Sequence, residues 1–90
     1  MDVIKKNGRV QPFNREKIEI SVTNAGLDIK ERLSERDARV ITDDVVKKLK
    51  DMRGEDGRTS VYEIRILAAK AIQENGFDKI ARHYFLGMLT

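Results

Sequence analysis

The 90-residue sequence has no cysteine, no tryptophan, one proline and one histidine. The absence of cysteine excludes disulfides, thiolate zinc sites and any thiol chemistry supplied by this chain. With His83 as the single histidine, neither a multi-histidine metal site nor a Ser-His-Asp triad is expected. We therefore predict no catalytic and no metal-ligating residues.

Long apolar runs are also absent, since no run approaches the roughly 20 residues that a membrane-spanning helix requires. The first residues contain neither a long apolar segment nor a small-residue cleavage site, so no secretory signal is predicted and the cytoplasm is the expected location. A chain of this length buries only about 60 to 65% of its unfolded surface and forms one core. We expect a single domain over residues 1–90, with no membrane partner.

The net charge of +3 is concentrated at the N-terminus. Residues 1–18 contain five basic and two acidic side chains, whereas the remaining 72 residues contain thirteen of each. A local basic patch indicates an anionic partner, whereas a nucleic-acid groove more often draws basic residues from several elements. The basic residues of this patch are Lys5, Lys6, Arg9, Arg15 and Lys17.

Two short segments of strand-forming residues flank Asn7-Gly8, a dipeptide that tolerates the positive φ angles of a type I′ turn. The pattern predicts a β-hairpin over about residues 2–13. A two-residue turn places Lys6 opposite Arg9. Two like charges at the hairpin tip are typical of an anion receptor, and equally of a solvated turn.

Four amphipathic helices are predicted after the hairpin, over about residues 15–25, 35–52, 61–75 and 78–88. Asn14, Ser34 and Ser60 are the expected N-caps of the first three, and Asp78 of the fourth. Gly26 is expected just beyond the end of the first helix. The predicted fold is α+β and mostly α, with an N-terminal β-hairpin cap over a four-helix bundle.

Apolar residues recur at helical spacing in these segments and predict the faces that form the core. Met52 ends the apolar face of the second helix. In the fourth helix, Tyr84 and Phe85 are expected core aromatics, and Met88 ends the apolar face. The glycine-rich, charged segment 53–58 predicts an exposed loop.

Two N-terminal segments carry a more specific signal, namely Val3-Ile4-Lys5-Lys6-Asn7-Gly8 and Phe13-Asn14-Arg15-Glu16-Lys17-Ile18. Two later segments accompany them, Thr59-Ser60-x-x-Glu63-Ile64 and Ala81-Arg82-x-Tyr84. Together they resemble the ATP-cone, the nucleotide-sensing domain known at the N-terminus of ribonucleotide reductase large subunits and in the repressor of their genes. The resemblance implies a four-helix fold capped by a small sheet, with ATP or dATP bound between cap and helices. In the hairpin this chain has Lys6 where the family usually has arginine, and Asn7 where it usually has aspartate.

A triphosphate needs several fixed donors, which Lys5 and Lys6 on one strand and Lys17 on the adjoining helix can supply. The N-terminus of the first helix adds the positive end of its dipole. The alternative for all three lysines is that they are solvated surface residues that bind no ligand.

The resemblance assigns further contacts to the ligand. Val3 and Ile18 would contact the base or its surroundings, and Gln11 and Asn14 would hydrogen-bond the base or sugar. Thr59 would meet the ligand from the third helix. For Asn14 the structural alternative is a helix cap, which is compatible with ligand contact.

The function that the resemblance implies is an allosteric regulatory domain that binds ATP or dATP, with Mg²⁺ accompanying the triphosphate. It would control the activity and oligomeric assembly of a ribonucleoside-diphosphate or -triphosphate reductase, in cis or in trans, and would itself not be an enzyme. The alternative is the nucleotide-sensing part of a transcriptional repressor of reductase genes. That repressor carries a cysteine-rich zinc ribbon before the cone, and because this chain has no cysteine, DNA binding is not expected. A nucleotide-hydrolysing enzyme is not indicated, because the sequence has no Gly-x-x-x-x-Gly-Lys-Ser/Thr loop.

Overall fold

The computed structural model describes residues 1–88, apart from the side chain of Met88. Four helices and a small three-stranded sheet confirm the predicted α+β, mostly helical fold. Residues 89 and 90 of the predicted domain lie outside the described residues. The elements are β1 (Asp2–Ile4), β2 (Val10–Pro12), α1 (Arg15–Asp28), α2 (Glu35–Arg53), β3 (Arg58–Ser60), α3 (Val61–Glu74) and α4 (Asp78–Met88).

The hairpin forms as predicted, but its predicted register is wrong by one residue. Val3 pairs with Gln11 and Ile4 pairs with Val10. Lys5 therefore lies opposite Arg9, and its N–H donates to the Arg9 carbonyl over 2.8 Å. Because directly paired residues share one face of a sheet, this register places Gln11 on the same face as Val3.

The hairpin turn contains three residues rather than the predicted two. The Gly8 N–H donates to the Lys5 carbonyl over 2.9 Å, and the Arg9 N–H donates to Asn7 Oδ1 over 3.0 Å. Gly8 has a φ of +82°, whereas Asn7 does not have the positive φ that a type I′ turn requires. This is the pattern of a three-residue hairpin loop closed by a left-handed glycine, and Lys6 lies within the loop.

A third strand, which the sequence did not predict, completes the sheet. β3 pairs in parallel with β1, with Thr59 opposite Val3, so β1 is the central strand. The segment predicted as an exposed loop therefore ends in a strand, and Thr59 lies in β3 rather than in the third helix. A Cβ at Gly57 would lie 1.9 Å from the Arg53 carbonyl oxygen, so only glycine permits the close turn that leads into β3.

The N-caps predicted for the first three helices are confirmed, and the one predicted for the fourth is wrong. Asn14, Ser34 and Ser60 each accept a backbone N–H from the first turn of their helix, over 3.0, 3.0 and 3.1 Å respectively. Asp78 is the first helical residue of α4 rather than its cap, because the first backbone hydrogen bond of that helix goes to the Phe77 carbonyl.

The predicted end of the first helix is wrong, since α1 continues through Gly26 to Asp28. Lys30, with a φ of 58°, supplies the left-handed residue after the helix. A Cβ at Gly26 would lie 2.4 Å from the Glu31 carbonyl oxygen. The glycine therefore serves the close approach of the following loop rather than the termination of the helix.

The core lies between the four helices, and its fully or nearly fully buried residues include Ile18, Val22, Ile41, Val45, Leu49, Ile72 and Ile80. Two residues predicted for the apolar faces lie outside it: Met52 is 55% exposed and Phe85 is 46% exposed. Helical spacing does not show how far the neighbouring elements extend along a helix. Adjacent residues also point about 100° apart on a helix, so α4 partly buries Tyr84 and leaves Phe85 outside. The prediction for Met88 concerns a side chain outside the described part of the chain.

Candidate functional site

A cavity of about 210 Å³ lies between the hairpin, α1 and α3, and we call it the hairpin cavity. Its wall combines residues from all three elements and from α4. Five of the residues predicted to bind a ligand line it, namely Val3, Gln11, Asn14, Lys17 and Ile18. The other lining residues are Pro12, Phe13, Ser21, Val61, Ile64, Arg65 and Tyr84.

A second cavity, of about 350 Å³, lies at the tip of the hairpin, and we call it the tip cavity. Lys5, Lys6 and Asn7 form its hairpin side, and Val61 and Arg65 form its α3 side. The same two α3 residues also line the hairpin cavity, so the two cavities adjoin along this helix. Seven of the eight predicted site residues therefore line these two neighbouring cavities, which together we call the depression.

A third, smaller cavity of about 160 Å³ adjoins the first two, and we call it the hydroxyl cavity. Ser21, Arg65, Tyr84 and Gly87 line it. The Tyr84 hydroxyl lies 3.2 Å from Ser21 Oγ, which itself donates to the Ile18 carbonyl over 2.9 Å. Because the Ser21 proton is used in this way, Tyr84 is the donor of the pair. The two hydroxyls hold α1 and α4 together beside the hairpin cavity.

Four basic side chains line these cavities: Lys5, Lys6, Lys17 and Arg65. Among the described residues, no carboxylate lines any of the three cavities, and none of the four cations forms an ion pair. Several positive charges without a nearby counter-charge produce a positive local potential. The depression is therefore suited to a polyanion.

A larger cavity, of about 510 Å³, lies on the other side of α1. Glu16, Glu19 and Glu35 line it, with no basic side chain among its lining residues. Three carboxylates repel phosphate, so the larger volume does not make this cavity the better anion site.

The tip of the hairpin is held against α3 by an aromatic contact. Lys6 Nζ lies 5.9 Å from the centre of the Tyr62 ring, within the range of a cation–π interaction. Lys6 and Tyr62 are both exposed, so this contact leaves the side chain of Lys6 accessible to solvent and to a ligand. Lys6 thus lies beside the tip cavity without a carboxylate to neutralise it.

The hairpin cavity has both an apolar wall and polar groups. Val3, Ile18 and Phe13 line it; Val3 and Ile18 are each 4% exposed, and Phe13 is partly buried against the core that contains Ile18. These side chains form an apolar wall for a ring. Gln11 and Asn14 contribute amides. Asn14 Oδ1 accepts the N-cap hydrogen bond from the Glu16 N–H, which leaves the side-chain NH₂ group of Asn14 to donate to a ligand.

Thr59 is the predicted site residue that lines none of these cavities. It is 3% exposed, and its hydroxyl donates to Glu63 Oε1 over 2.7 Å. Arg53 donates to both oxygens of the same carboxylate, over 3.1 and 2.6 Å. Hydrogen bonds from Arg53 and then from Thr59 lower the pKa of Glu63, against the opposing effect of partial burial. The contact between Thr59 and a ligand stays a prediction.

The lining residue that sequence reasoning missed and that matters most is Arg65. Arg65 falls within the predicted third helix, one turn after Val61, and residues four apart lie on the same side of a helix. Nothing in the sequence showed that this side faces the hairpin. The parallel pairing of β3 with β1 brings the start of α3 to the hairpin, and the sequence did not reveal β3.

Within residues 1–88, no group of three or more His, Cys, Asp or Glu side chains is arranged to hold a metal ion. The helices of this part of the chain are all too short or too polar to cross a membrane.

Comparison with known proteins identifies a family and a relative. A family model described as the ATP cone domain matches residues 1–87. The vitamin B12-dependent ribonucleoside-diphosphate reductase of Thermoplasma acidophilum is 33% identical over 90 aligned residues. The alignment covers 94% of this chain but 11% of that reductase, so the chain is similar to a small part of a much longer protein.

Proposed function

Because the chain belongs to the ATP-cone family, whose members bind nucleotide effectors, we propose that it binds ATP and dATP as allosteric effectors in the depression formed by the hairpin and tip cavities. The observation that carries the proposal is the set of four basic side chains around adjoining cavities that no carboxylate lines among the described residues. An apolar wall adjoins the charged region, as an adenine nucleotide requires.

The base and sugar occupy the hairpin cavity in this proposal. Val3 and Ile18 pack against the base, and the amides of Gln11 and Asn14 hydrogen-bond the base or sugar. The observed register of the hairpin supports this arrangement, because it brings Gln11 to the face of the sheet that bears Val3.

The phosphates extend from the hairpin cavity, which Lys17 of α1 lines, toward the tip cavity, which Lys5 and Lys6 of the hairpin line. Each charge-assisted hydrogen bond contributes roughly 1.5 to 3 kcal/mol to binding. The cavity walls offer no carboxylate for Mg²⁺ among the described residues. Magnesium that accompanies the nucleotide would therefore be held by phosphate oxygens and water rather than by a side chain of these walls.

We propose a regulatory rather than catalytic role. The protein would act in the cytoplasm on a ribonucleotide reductase, as a domain of the same chain or as a partner. Its alignment with part of a ribonucleoside-diphosphate reductase supports this proposal. ATP and dATP regulate the reductase in opposite directions only if they bind its assembly states with different affinities, so affinity alone does not establish regulation.

Calorimetric titration with ATP, dATP, GTP and CTP tests the proposed ligand. We expect saturable binding of both adenine nucleotides and weaker binding of GTP and CTP, because the amides that face the base are arranged for one set of donors and acceptors. Equal affinity for all four would show that the protein recognises only the triphosphate. Failure of folded protein to bind ATP and dATP at millimolar concentration would overturn the proposal.

A further inference from the structure

Arg65 lines all three cavities described above, the hairpin, tip and hydroxyl cavities. It lies on α3 and is half-buried. A group at the junction of the three cavities can reach a ligand in any of them. Its position therefore differs from that of the three lysines, each of which lines a single cavity.

Arg65 also has no side-chain acceptor within the described residues. Two other arginines of the chain do have carboxylate partners: Arg15 pairs with Asp43, and Arg53 pairs with Glu63. A guanidinium offers five N–H donors, and partial burial without acceptors is unfavourable. The acceptors that suit the Arg65 guanidinium have to come from a bound anion or from water.

We propose that Arg65 is a phosphate-binding residue of the effector site, and that its guanidinium donates to the phosphate oxygens where the three cavities meet. This inference rests on the proposed function and adds to it a residue that the family resemblance did not assign. Arginine is suited to this position because its planar fork binds two oxygens of one phosphate, whereas an ammonium acts as a point charge.

The position of Arg65 gives the contact a second consequence. Lys5 and Lys6 belong to the hairpin, Lys17 belongs to α1, and Arg65 belongs to α3. A phosphate chain bound by all of them links the hairpin, α1 and α3. Binding therefore holds the hairpin and α1 against α3.

The test compares Arg65→Gln and Arg65→Lys with Arg39→Gln, an exposed arginine of α2 that lines none of the three cavities. Each purified variant is titrated calorimetrically with ATP and, separately, with inorganic tripolyphosphate. We expect Arg65→Gln to weaken both ligands by about tenfold to hundredfold. Arg65→Lys keeps the charge but loses the planar fork of the guanidinium, so we expect it to weaken the binding of both ligands by about threefold to tenfold. Arg39→Gln should change either affinity by less than about twofold.

Three results would overturn the inference. Binding of ATP by Arg65→Gln as tight as by the unmodified protein would show that Arg65 makes no contact. Weaker binding of ATP with unchanged binding of tripolyphosphate would assign Arg65 to the base rather than to the phosphates. Loss of both affinities in Arg39→Gln to the same extent would indicate attraction by net charge alone.

A different result tests the proposed function itself. If the unmodified protein binds neither ATP nor dATP, both the proposed function and the inference about Arg65 are wrong. Circular dichroism melts confirm that each variant is folded. If Arg65→Gln does not fold, Arg65→Met, which keeps the apolar stem of the side chain, replaces it in the same titrations.

Discussion

The Thr59 hydroxyl donates to Glu63 Oε1 over 2.7 Å, and this contact joins β3 to the first turn of α3. Thr59 is 3% exposed and lies opposite Val3 in the parallel pair of strands. The same carboxylate accepts two hydrogen bonds from Arg53 at the end of α2. One glutamate thus connects α2, β3 and α3, and β3 lies beside β1, the strand that bears Val3.

Replacing Thr59 with valine should lower the free energy of unfolding by about 1 kcal/mol, because Glu63 loses one donor while the shape of the side chain is kept. Urea unfolding followed by circular dichroism measures this loss. Titration of the same variant with ATP also tests the ligand contact that the family resemblance implies. A matching loss of ATP affinity would support that contact, whereas unchanged affinity would restrict Thr59 to the hydrogen bond with Glu63.

The lowered pKa of Glu63 predicts a specific dependence of stability on pH. Because its pKa in the folded protein lies below the usual value of 4.5, the stabilisation is complete above that value and is lost as the pH falls through the folded pKa. Glu63→Gln should therefore be less stable than the unmodified protein at pH 7, and the difference should shrink below pH 4.5. Glu74→Gln, which alters an exposed pair with Lys48, is the control. A difference that stays constant from pH 7 to pH 3 would contradict this role for Glu63.

Nucleotide binding should raise the thermal stability of the protein. At a ligand concentration about 100 times the dissociation constant, linkage contributes roughly 2.7 kcal/mol, or a rise of about 10 to 20 °C in Tm for a domain of this size. Thermal melts with ATP and with dATP measure the effect, and melts with sodium tripolyphosphate show how much of it the phosphates alone provide. An unchanged Tm with saturating ATP would contradict the prediction.

The lysines that line the site should contribute more to ATP affinity than lysines elsewhere in the chain. Alanine at Lys5, Lys6 or Lys17 should weaken ATP binding about tenfold or more, since each variant loses one charge-assisted contact. Lys47→Ala and Lys70→Ala remove exposed lysines that line none of the three cavities and should have little effect. Calorimetry on all five variants distinguishes a specific ATP site from general attraction of anions. Similar losses of ATP affinity at all five positions would indicate only general attraction.

Duplex DNA should be a poor ligand. If the basic residues are arranged for one triphosphate, DNA should bind no more tightly than about micromolar at physiological salt, and excess ATP should displace it because both require the same cations. Fluorescence anisotropy with a labelled duplex, in the presence and absence of ATP, measures both effects. Tight, sequence-specific binding that ATP does not alter would favour the alternative function as part of a repressor.

The sequence alone determined the features that depend on neighbours along the chain. Asn14, Ser34 and Ser60 mark three helix starts because an N-cap bonds to an N–H only two or three residues ahead. The four amphipathic segments and the hairpin were predictable for the same reason, and so was the basic N-terminal patch. The resemblance to the ATP-cone, carried by short segments distributed along the chain, identified the family that the comparison confirmed.

Only the tertiary structure decided how these elements meet. Asn7-Gly8 is compatible with either a two-residue or a three-residue turn, and local preference does not distinguish them, yet the choice decides whether Gln11 faces the same side as Val3.

The same limit applies to β3 and to Arg65. A three-residue strand is too short to show periodicity, and its pairing with β1, more than fifty residues away in the chain, brings α3 and Arg65 to the hairpin. A contact between distant residues depends on the packing of the whole core, because burial of the helix faces sets the positions of the elements that carry the site.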